Sequence, residues 1–228
     1  VVEGDYISAK DTTLGGDDGI AVAYALAILE DDSLCHPALE VLITVDEEIG
    51  LLGAVALDTT PLKGRYLINL DSEEEGYLWV GCAGGLRTKS RIPVKYQEAE
   101  GTKYEITVTG LLGGHSGSEI DKNRANATLL LGRFLFEARE KGQYVLAELE
   151  GGQKDNAIPR TARALILTDK DTGAELQKFA GTFTGNLRKE YAGSDEGITV
   201  TVEARGEGKE PALHPVSLEK VLFFLLHY

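Results

Sequence analysis

The sequence predicts an α/β part with a mostly parallel sheet over residues 1–82, followed by an α+β part over 83–228. In the first part, short runs of apolar, β-branched residues predict strands that are buried on both faces of a parallel sheet. In the second part, apolar and polar residues alternate, which predicts an antiparallel sheet with helices on one face. The glycine pair Gly84 and Gly85 marks the predicted boundary.

The first part begins with a predicted strand over 1–9 and a predicted helix over 17–29. This helix is apolar on all sides, as expected of a helix that is buried against a sheet. The runs LEVLITV at 39–45 and YLINL at 66–70 predict two buried strands, and a helix over 48–57 separates them. Together these elements predict a strand–helix–strand unit.

The second part predicts the element order β-α-β-β-α-β, in which antiparallel strands carry helices on one face. The predicted strands cover 88–96, 103–111, 144–150, 162–168 and 198–204, and the predicted helices cover 123–141 and 175–191. A further apolar helix pattern runs over 218–228. We expect this part to be a domain of its own.

Composition excludes several classes of partner. The chain has 228 residues, with 23 Lys and Arg against 37 Asp and Glu, and a net charge of −14. This charge argues against nucleic acid or an anionic membrane as a partner, and no apolar run reaches the roughly 18 residues of a membrane span. The two cysteines, Cys35 and Cys82, predict free thiols, as in a cytoplasmic protein.

Acidic residues follow directly on the predicted strands of the first part. Asp46, Glu47 and Glu48 follow the strand that ends at residue 45, and Asp71 follows the strand that ends at residue 70. In open α/β sheets, ligands bind outside the carboxyl ends of the strands. Converging carboxylates need a cation or proton to offset their charge, and a pair of divalent metal ions would activate a water between them. One glutamate of the pair could then bind metal while the other takes the proton of the water.

Simpler interpretations stand beside this one. Asp17, which lies with Asp18 between glycines at the start of the first helix, could be a plain helix N-cap. The Glu47–Glu48 pair could be a solvated turn, and residues 73–75 a solvated acidic run. Only four histidines are present, whereas zinc sites usually include imidazole. Carboxylates alone would suit magnesium, calcium or manganese.

Several motifs in order give the sequence a family resemblance. They are TTLGGDDGI at 12–20, LEVLITVDEEIGLLG at 39–53, NLDSEEEG at 69–76, GCAGG at 81–85, GGHSG at 113–117 and NAIPR at 156–160. In this order they resemble the aminoacyl-histidine (Xaa-His) dipeptidases of the M20 metallopeptidase clan. The resemblance covers essentially the whole chain and becomes weaker after residue 168.

The resemblance implies a role for each acidic candidate. Asp17 would bridge two divalent metal ions, which would be zinc, with cobalt or manganese as alternatives. Asp18 stands where the family has Asn; it would hydrogen-bond behind the ligands, and the Asp17–Asp18 peptide would be cis. Glu48 and Asp71 would each bind one metal, and Glu47 would be the general base.

The second part would be the inserted lid domain of the family, through which a homodimer forms. His115 would help to polarise the scissile carbonyl of a small peptide substrate, either in its own subunit or across the dimer. Asn156 and Arg160 would contact the substrate. Taken without the family, His115 is better interpreted as a helix-start residue in a glycine loop.

The resemblance also shows two departures. The His-x-Asp motif that precedes the TTLG run in the family and the ligand histidine near the C-terminus of the family are both absent from the sequence, which also contains no methionine. We therefore expect a fragment that lacks both ends and is inactive alone, from a parent that hydrolyses Xaa-His dipeptides. The alternatives are another hydrolase of the clan (a tripeptidase or an acylamino-acid deacylase) or a non-catalytic dimerisation module with a vestigial metal site.

Overall fold

The computed structural model describes residues 1–12, 14, 16–72, 75–82, 84 and 86–227. The chain divides into two compact units, Val1–Leu86 and Arg87–Tyr228, called unit 1 and unit 2 below. Gly85 of the predicted boundary and Glu73 and Glu74 of the acidic run lie outside the described residues.

Unit 1 contains little regular structure. Two short strands, β1 (Val2–Glu3) and β2 (Tyr6–Ile7), pair as an antiparallel hairpin. Helix α1 spans Gly19–Glu30, close to the predicted helix, and α2 is a single turn over Leu52–Val55. The prediction of one continuous strand over 1–9 and of a longer helix over 48–57 was wrong.

The segments 39–45 and 66–70 do not form the predicted parallel sheet. Their apolar side chains are exposed, with Val45 at 68%, Leu67 at 91% and Ile68 at 80% of full accessibility. A strand requires a neighbouring strand for its backbone N–H and C=O groups, and β1 pairs with β2 alone in the described part of unit 1. The apolar composition of these segments therefore does not produce a sheet in this unit.

Unit 2 has the predicted order β-α-β-β-α-β. Its main elements are β3 (Tyr96–Thr109), α3 (Ala127–Ala138), β5 (Val145–Gly151), β7 (Ala162–Thr168), α4 (Lys170–Glu190) and β8 (Thr199–Leu213), followed by α5 (Pro215–His227). Two short strands, β4 (Gly114–His115) and β6 (Ala157–Ile158), pair with each other outside the main sheet. The main sheet is antiparallel throughout, with the strand order β5-β7-β3-β8.

One face of the main sheet is packed and the other is charged. From Thr102 to Val108 of β3 every second residue is buried, among them Tyr104, Ile106 and Val108. On the opposite face Glu105 forms ion pairs with Arg163 of β7 and Arg205 of β8. This alternation places the helices on one side of the sheet, as the sequence predicts.

Helices α3 and α4 supply much of the core. Phe134 of α3 is fully buried and packs against Phe179 and Phe183 of α4, with ring centroids 5.1 and 5.3 Å away. Asn126 caps α3 by accepting from the backbone N–H groups of Thr128 and Leu129. The core is therefore built from an amphipathic helix pair on a half-buried sheet.

Several boundaries in unit 2 differ from the sequence prediction; α3, for example, covers Ala127–Ala138 and not 123–141. Residues 88–95 are not a strand, and β3 begins at Tyr96. Strand β8 continues to Leu213 instead of ending at 204, because it pairs with β3 as far as Tyr96 and passes a bulge at which Gly206 has φ of +86°. Helix α4 begins five residues early, at Lys170, where the Asp169 side chain caps the Thr172 N–H.

Candidate functional site

The predicted metal ligands all lie in unit 1. The Asp17–Asp18 peptide is cis, as the resemblance implies. The N-cap of α1 is Asp18 and not Asp17, since Asp18 Oδ1 accepts from the Ala21 N–H at 3.3 Å. The alternative of Asp17 as a plain N-cap was therefore wrong, and the function of Asp17 stays a prediction.

The Glu47–Glu48 pair lies in a turn. The Glu47 carbonyl oxygen accepts from the backbone N–H groups of Gly50 and Leu51 at 3.0 and 2.9 Å, and Asp46 has a left-handed backbone with φ of +58°. Both glutamates are exposed. The structure thus places this pair in a solvated turn.

The candidate ligands do not form a metal-binding group within the described residues. No three His, Cys, Asp or Glu side chains lie together there in a way that could hold a metal ion. Asp17, Glu48 and Asp71 have the carboxylate chemistry that a divalent ion requires, but their arrangement does not fit one. The assignment of Asp17, Glu48 and Asp71 as ligands and of Glu47 as base stays a prediction.

In unit 2 the structure brings two of the motifs together. The GGHSG motif carries β4 and the NAIPR motif carries β6, with Gly114 opposite Ile158 and His115 opposite Ala157. The Ser116 N–H also donates to the Asn156 carbonyl oxygen at 2.9 Å. We call residues 113–119 the His115 loop.

The glycines of this loop make room for side chains that hold it. A Cβ on Gly113, which has φ of +66°, would lie 2.3 Å from Cγ of Arg160. A Cβ on Gly114 would lie 2.6 Å from both Arg124 Nη1 and Glu119 Oε2. Because real Cβ atoms do not approach other atoms so closely, the spacing of these glycines has a packing reason.

The ring of His115 is held by the loop itself. Its Nδ1 accepts hydrogen bonds from the backbone N–H groups of Gly117 at 3.0 Å and Ser118 at 3.2 Å. A backbone N–H can only donate, so Nδ1 carries the lone pair and the neutral ring carries its proton on Nε2. His115 is exposed, and Nε2 has no hydrogen-bond partner among the described residues.

Arg160 lies along the same loop. Its side chain packs on Gly113, and its Nε donates to the Leu111 carbonyl oxygen at 3.3 Å. His115, Asn156 and Arg160 are therefore neighbours in one small region of unit 2. Their predicted roles toward a substrate stay predictions.

Three residues that support this region are not among those predicted from the sequence. Asp195 is fully buried and accepts from the backbone N–H groups of Leu112 at 2.6 Å and Ala125 at 2.7 Å. Glu119 accepts from the His115 N–H at 2.9 Å, and Arg124 donates to the Gly113 carbonyl oxygen. No local pattern indicates Asp195, whereas Glu119 and Arg124 could have been suspected from their closeness to the GGHSG motif.

The fold and the paired motifs place unit 2 in a known class. Residues 106–195 match the peptidase dimerisation domain of the M20 group. The match covers the strands and helices from Ile106 of β3 to the buried Asp195. Unit 2 is thus built around a peptidase dimerisation domain.

Comparisons of the whole chain agree with this class. The chain is 38% identical over 210 residues to the cytosol non-specific dipeptidase of Escherichia coli (strain K12), a match that covers 91% of this chain and 43% of that protein. It is 29% identical over 219 residues to the uncharacterized protein YqjE of Bacillus subtilis (strain 168), covering 89% of this chain and 52% of that protein.

Among solved structures, the aminoacylhistidine dipeptidase from Vibrio alginolyticus matches with a TM-score of 0.73 and 34% identity, over 99% of this chain and 46% of that one. Residues 106–195 thus match the M20 peptidase dimerisation domain, and the chain as a whole is similar in sequence to these two dipeptidases. It spans less than half the length of the two dipeptidases that it matches. In the described part of the chain, no helix combines the length and apolar character that a membrane span requires.

Proposed function

We propose that this chain belongs to a dipeptidase that hydrolyses Xaa-His dipeptides and assembles as a homodimer through unit 2. The observation that carries the proposal is the similarity to a dipeptidase over 91% of the chain. The geometry of the His115 loop supports it, since an exposed imidazole with its proton on Nε2 can donate to the oxygen of a scissile carbonyl.

Four residues have roles in this proposal that rest on their own chemistry. His115 donates from Nε2 to the carbonyl oxygen as negative charge develops there. Asn156 and Arg160 orient the peptide beside it. Glu47 accepts a proton from the attacking water and passes it to the leaving amine. Two divalent ions, zinc in the first instance, belong to the proposal, although the described carboxylates do not fit a metal ion as arranged.

The experiment is a substrate panel on the complete protein. Xaa-His dipeptides, other dipeptides, tripeptides and N-acylated amino acids are compared with zinc, cobalt or manganese supplied. We expect the highest kcat/KM on Xaa-His dipeptides. A preference for tripeptides or acylated amino acids would assign the protein to another hydrolase of the clan.

Variants of the complete protein test the residue roles. Glu47→Gln should lower kcat by about 10²–10⁴-fold, and His115→Ala by about 10²–10³-fold. Glu30→Gln, a change of an exposed glutamate at the end of α1, is the matched control and should leave kcat unchanged. Normal turnover in Glu47→Gln would reject Glu47 as the base.

A second candidate function is a dimerisation module without catalysis. It is favoured by the contrast between a fully formed dimerisation domain and carboxylates that do not gather within the described residues. Complete protein that dimerises, binds no metal and hydrolyses none of the panel would support this alternative.

A further inference from the structure

We propose that Glu119 is the positioning residue of His115, holding the loop in the one shape that keeps the His115 proton on Nε2. The inference rests on the proposed function for its catalytic meaning, but the arrangement itself is a property of unit 2. It is carried by three sets of contacts around His115.

The first set joins the backbone of His115 to Glu119 in both directions. The His115 N–H donates to Glu119 Oε2 at 2.9 Å, and the Glu119 N–H donates to the His115 carbonyl oxygen at 3.1 Å. Both polar backbone groups of His115 are thereby bound to one residue four positions later. The turn between them is closed by these two hydrogen bonds.

The second set fixes the ring. The Gly117 and Ser118 N–H groups that bind Nδ1 lie inside the turn that Glu119 closes. Gly117 also gives the ring its space, because a Cβ there would lie 3.1 Å from Cε1 and 3.2 Å from Nδ1 of His115. The position of these two amides, and with it the tautomer, therefore depends on the turn.

The third set anchors the Glu119 carboxylate. Its Oε1 pairs with Lys122 Nζ at 2.8 Å and with Arg124 Nη2 at 3.2 Å, and Arg124 also donates to the Gly113 carbonyl oxygen. Glu119 is thus connected to the loop on both sides of His115. In agreement, the pKa of the Glu119 carboxyl is lowered to about 2, mainly by Lys122 and then by the His115 N–H.

The chemical value of this arrangement is preorganisation. A donor that already faces away from its own loop stabilises developing negative charge without reorienting at the moment of reaction. If Nδ1 lost its two amides, the ring could place its proton on either nitrogen, and part of the population would offer no donor at Nε2. Glu119 would therefore act on catalysis through His115 and not by touching the substrate.

The first test reads the tautomer directly and needs no activity. Long-range ¹H–¹⁵N correlation of the histidine rings, at a pH where imidazoles are neutral, distinguishes a protonated from an unprotonated ring nitrogen. The chain has four histidines, so His115→Asn identifies the His115 signals. We expect the wild-type chain to show His115 with its proton on Nε2 alone.

Glu119→Ala should give a mixture of the two His115 tautomers, and Glu119→Gln should restore much of the wild-type state because an amide oxygen can still accept from the His115 N–H. Glu175→Ala is the matched control, since Glu175 forms the same i,i+3 pair with Lys178 in α4, away from the loop. An unchanged Nε2–H tautomer in Glu119→Ala would overturn the proposal. If Glu119→Ala does not fold, a wild-type chain with His115 in mixed tautomers would overturn it equally.

The second test is a double-mutant cycle in the complete protein. Glu119→Ala should lower kcat by about 10–100-fold with little change in KM, and it should have almost no further effect when His115 is already Ala. Additive losses would mean that Glu119 does not act through His115. A complete protein without hydrolase activity would reject the proposed function, while the tautomer measurement would still decide the role of Glu119.

Discussion

Units 1 and 2 both contain apolar runs, and only unit 2 buries them. In unit 2, side chains such as Ile106, Leu131 and Phe134 have no exposed surface. In unit 1, the described residues include none that is buried, and Leu67 and Val80 are almost fully exposed. Hydrophobic runs therefore stabilise a fold only where the chain supplies the surface that covers them.

The difference also separates the two sets of candidate residues. His115 lies in a loop fixed by hydrogen bonds to backbone and side chains, and its neighbours Asn156 and Arg160 flank the paired strand β6. Glu47 and Glu48 lie in an exposed turn. The His115 loop thus presents a side chain whose ring is already held, whereas Glu47 and Glu48 project from an exposed turn.

Hydrogen exchange should show the largest contrast between the units. The amide hydrogens of Ile106 and Ile166, in the central strands β3 and β7, should exchange only through global unfolding. The free energy of this opening should be about 5–15 kcal/mol. The amides of 39–45 should exchange with almost no protection. The measurement is native-state exchange on the 228-residue chain, and slow exchange over 39–45 would show that this segment finds a strand partner in solution.

The second largest effect should be the loss of stability when a buried aromatic ring is removed. Phe134→Ala removes a fully buried side chain that packs on Phe179 and Phe183, and should lower the free energy of unfolding by about 3–5 kcal/mol. Leu29→Ala, at a position 51% exposed in α1, should change it by less than about 0.5 kcal/mol. Urea denaturation of both variants checks this, and equal losses would remove the distinction between the units.

Loss of the buried carboxylate should have a smaller effect. Asp195→Ala leaves the N–H groups of Leu112 and Ala125 without their acceptor. Only the Ala125 hydrogen bond is buried, so we expect a loss of about 1–3 kcal/mol. Asp58→Ala in unit 1 is the control, because Asp58 accepts from the Thr60 N–H at an exposed site. We expect Asp195→Ala to lower the midpoint of thermal unfolding and Asp58→Ala to leave it unchanged. A comparable lowering in Asp58→Ala would contradict the contrast between the two units.

The smallest effect should be a pH dependence from Glu119. Its folded-state pKa of about 2 lies below the ordinary value of 4.5, so it stabilises the fold above pH 4.5, and this contribution is lost as the pH falls toward 2. Glu119→Gln should flatten the decline of stability in this window, most clearly at low salt. Glu98→Gln, at an exposed position of β3, should retain the wild-type decline, and a wild-type decline in Glu119→Gln would contradict the assignment.

Several elements were predictable from the sequence because their signals are local. Strand β7 was predicted with its observed bounds, Ala162–Thr168, because polar residues border its apolar run on both sides. The order of elements in unit 2 followed from alternation in the strands and from the amphipathic helices. The motifs GGHSG and NAIPR indicated the region in which His115, Asn156 and Arg160 lie together.

Other features were decided only by contacts between distant residues. The strands predicted over 39–45 and 66–70 have the right composition but no paired neighbour within the described part of unit 1. The extension of β8 to Leu213 depends on pairing with β3 more than a hundred residues away in sequence. The hydrogen bond from the Leu112 N–H to Asp195 joins residues that are 83 positions apart in the sequence.

By itself, the sequence determined the periodicity of unit 2, the acidic charge and the glycine pattern that leaves space around His115. The tertiary structure decided which apolar runs are covered, where β3 begins and β8 ends, and which distant side chains, Arg160 and Asp195, bind the segment that leads to His115. The reason is physical: periodicity and glycine act within a few residues, whereas burial and hydrogen-bond pairing require partners that the fold brings from elsewhere in the chain.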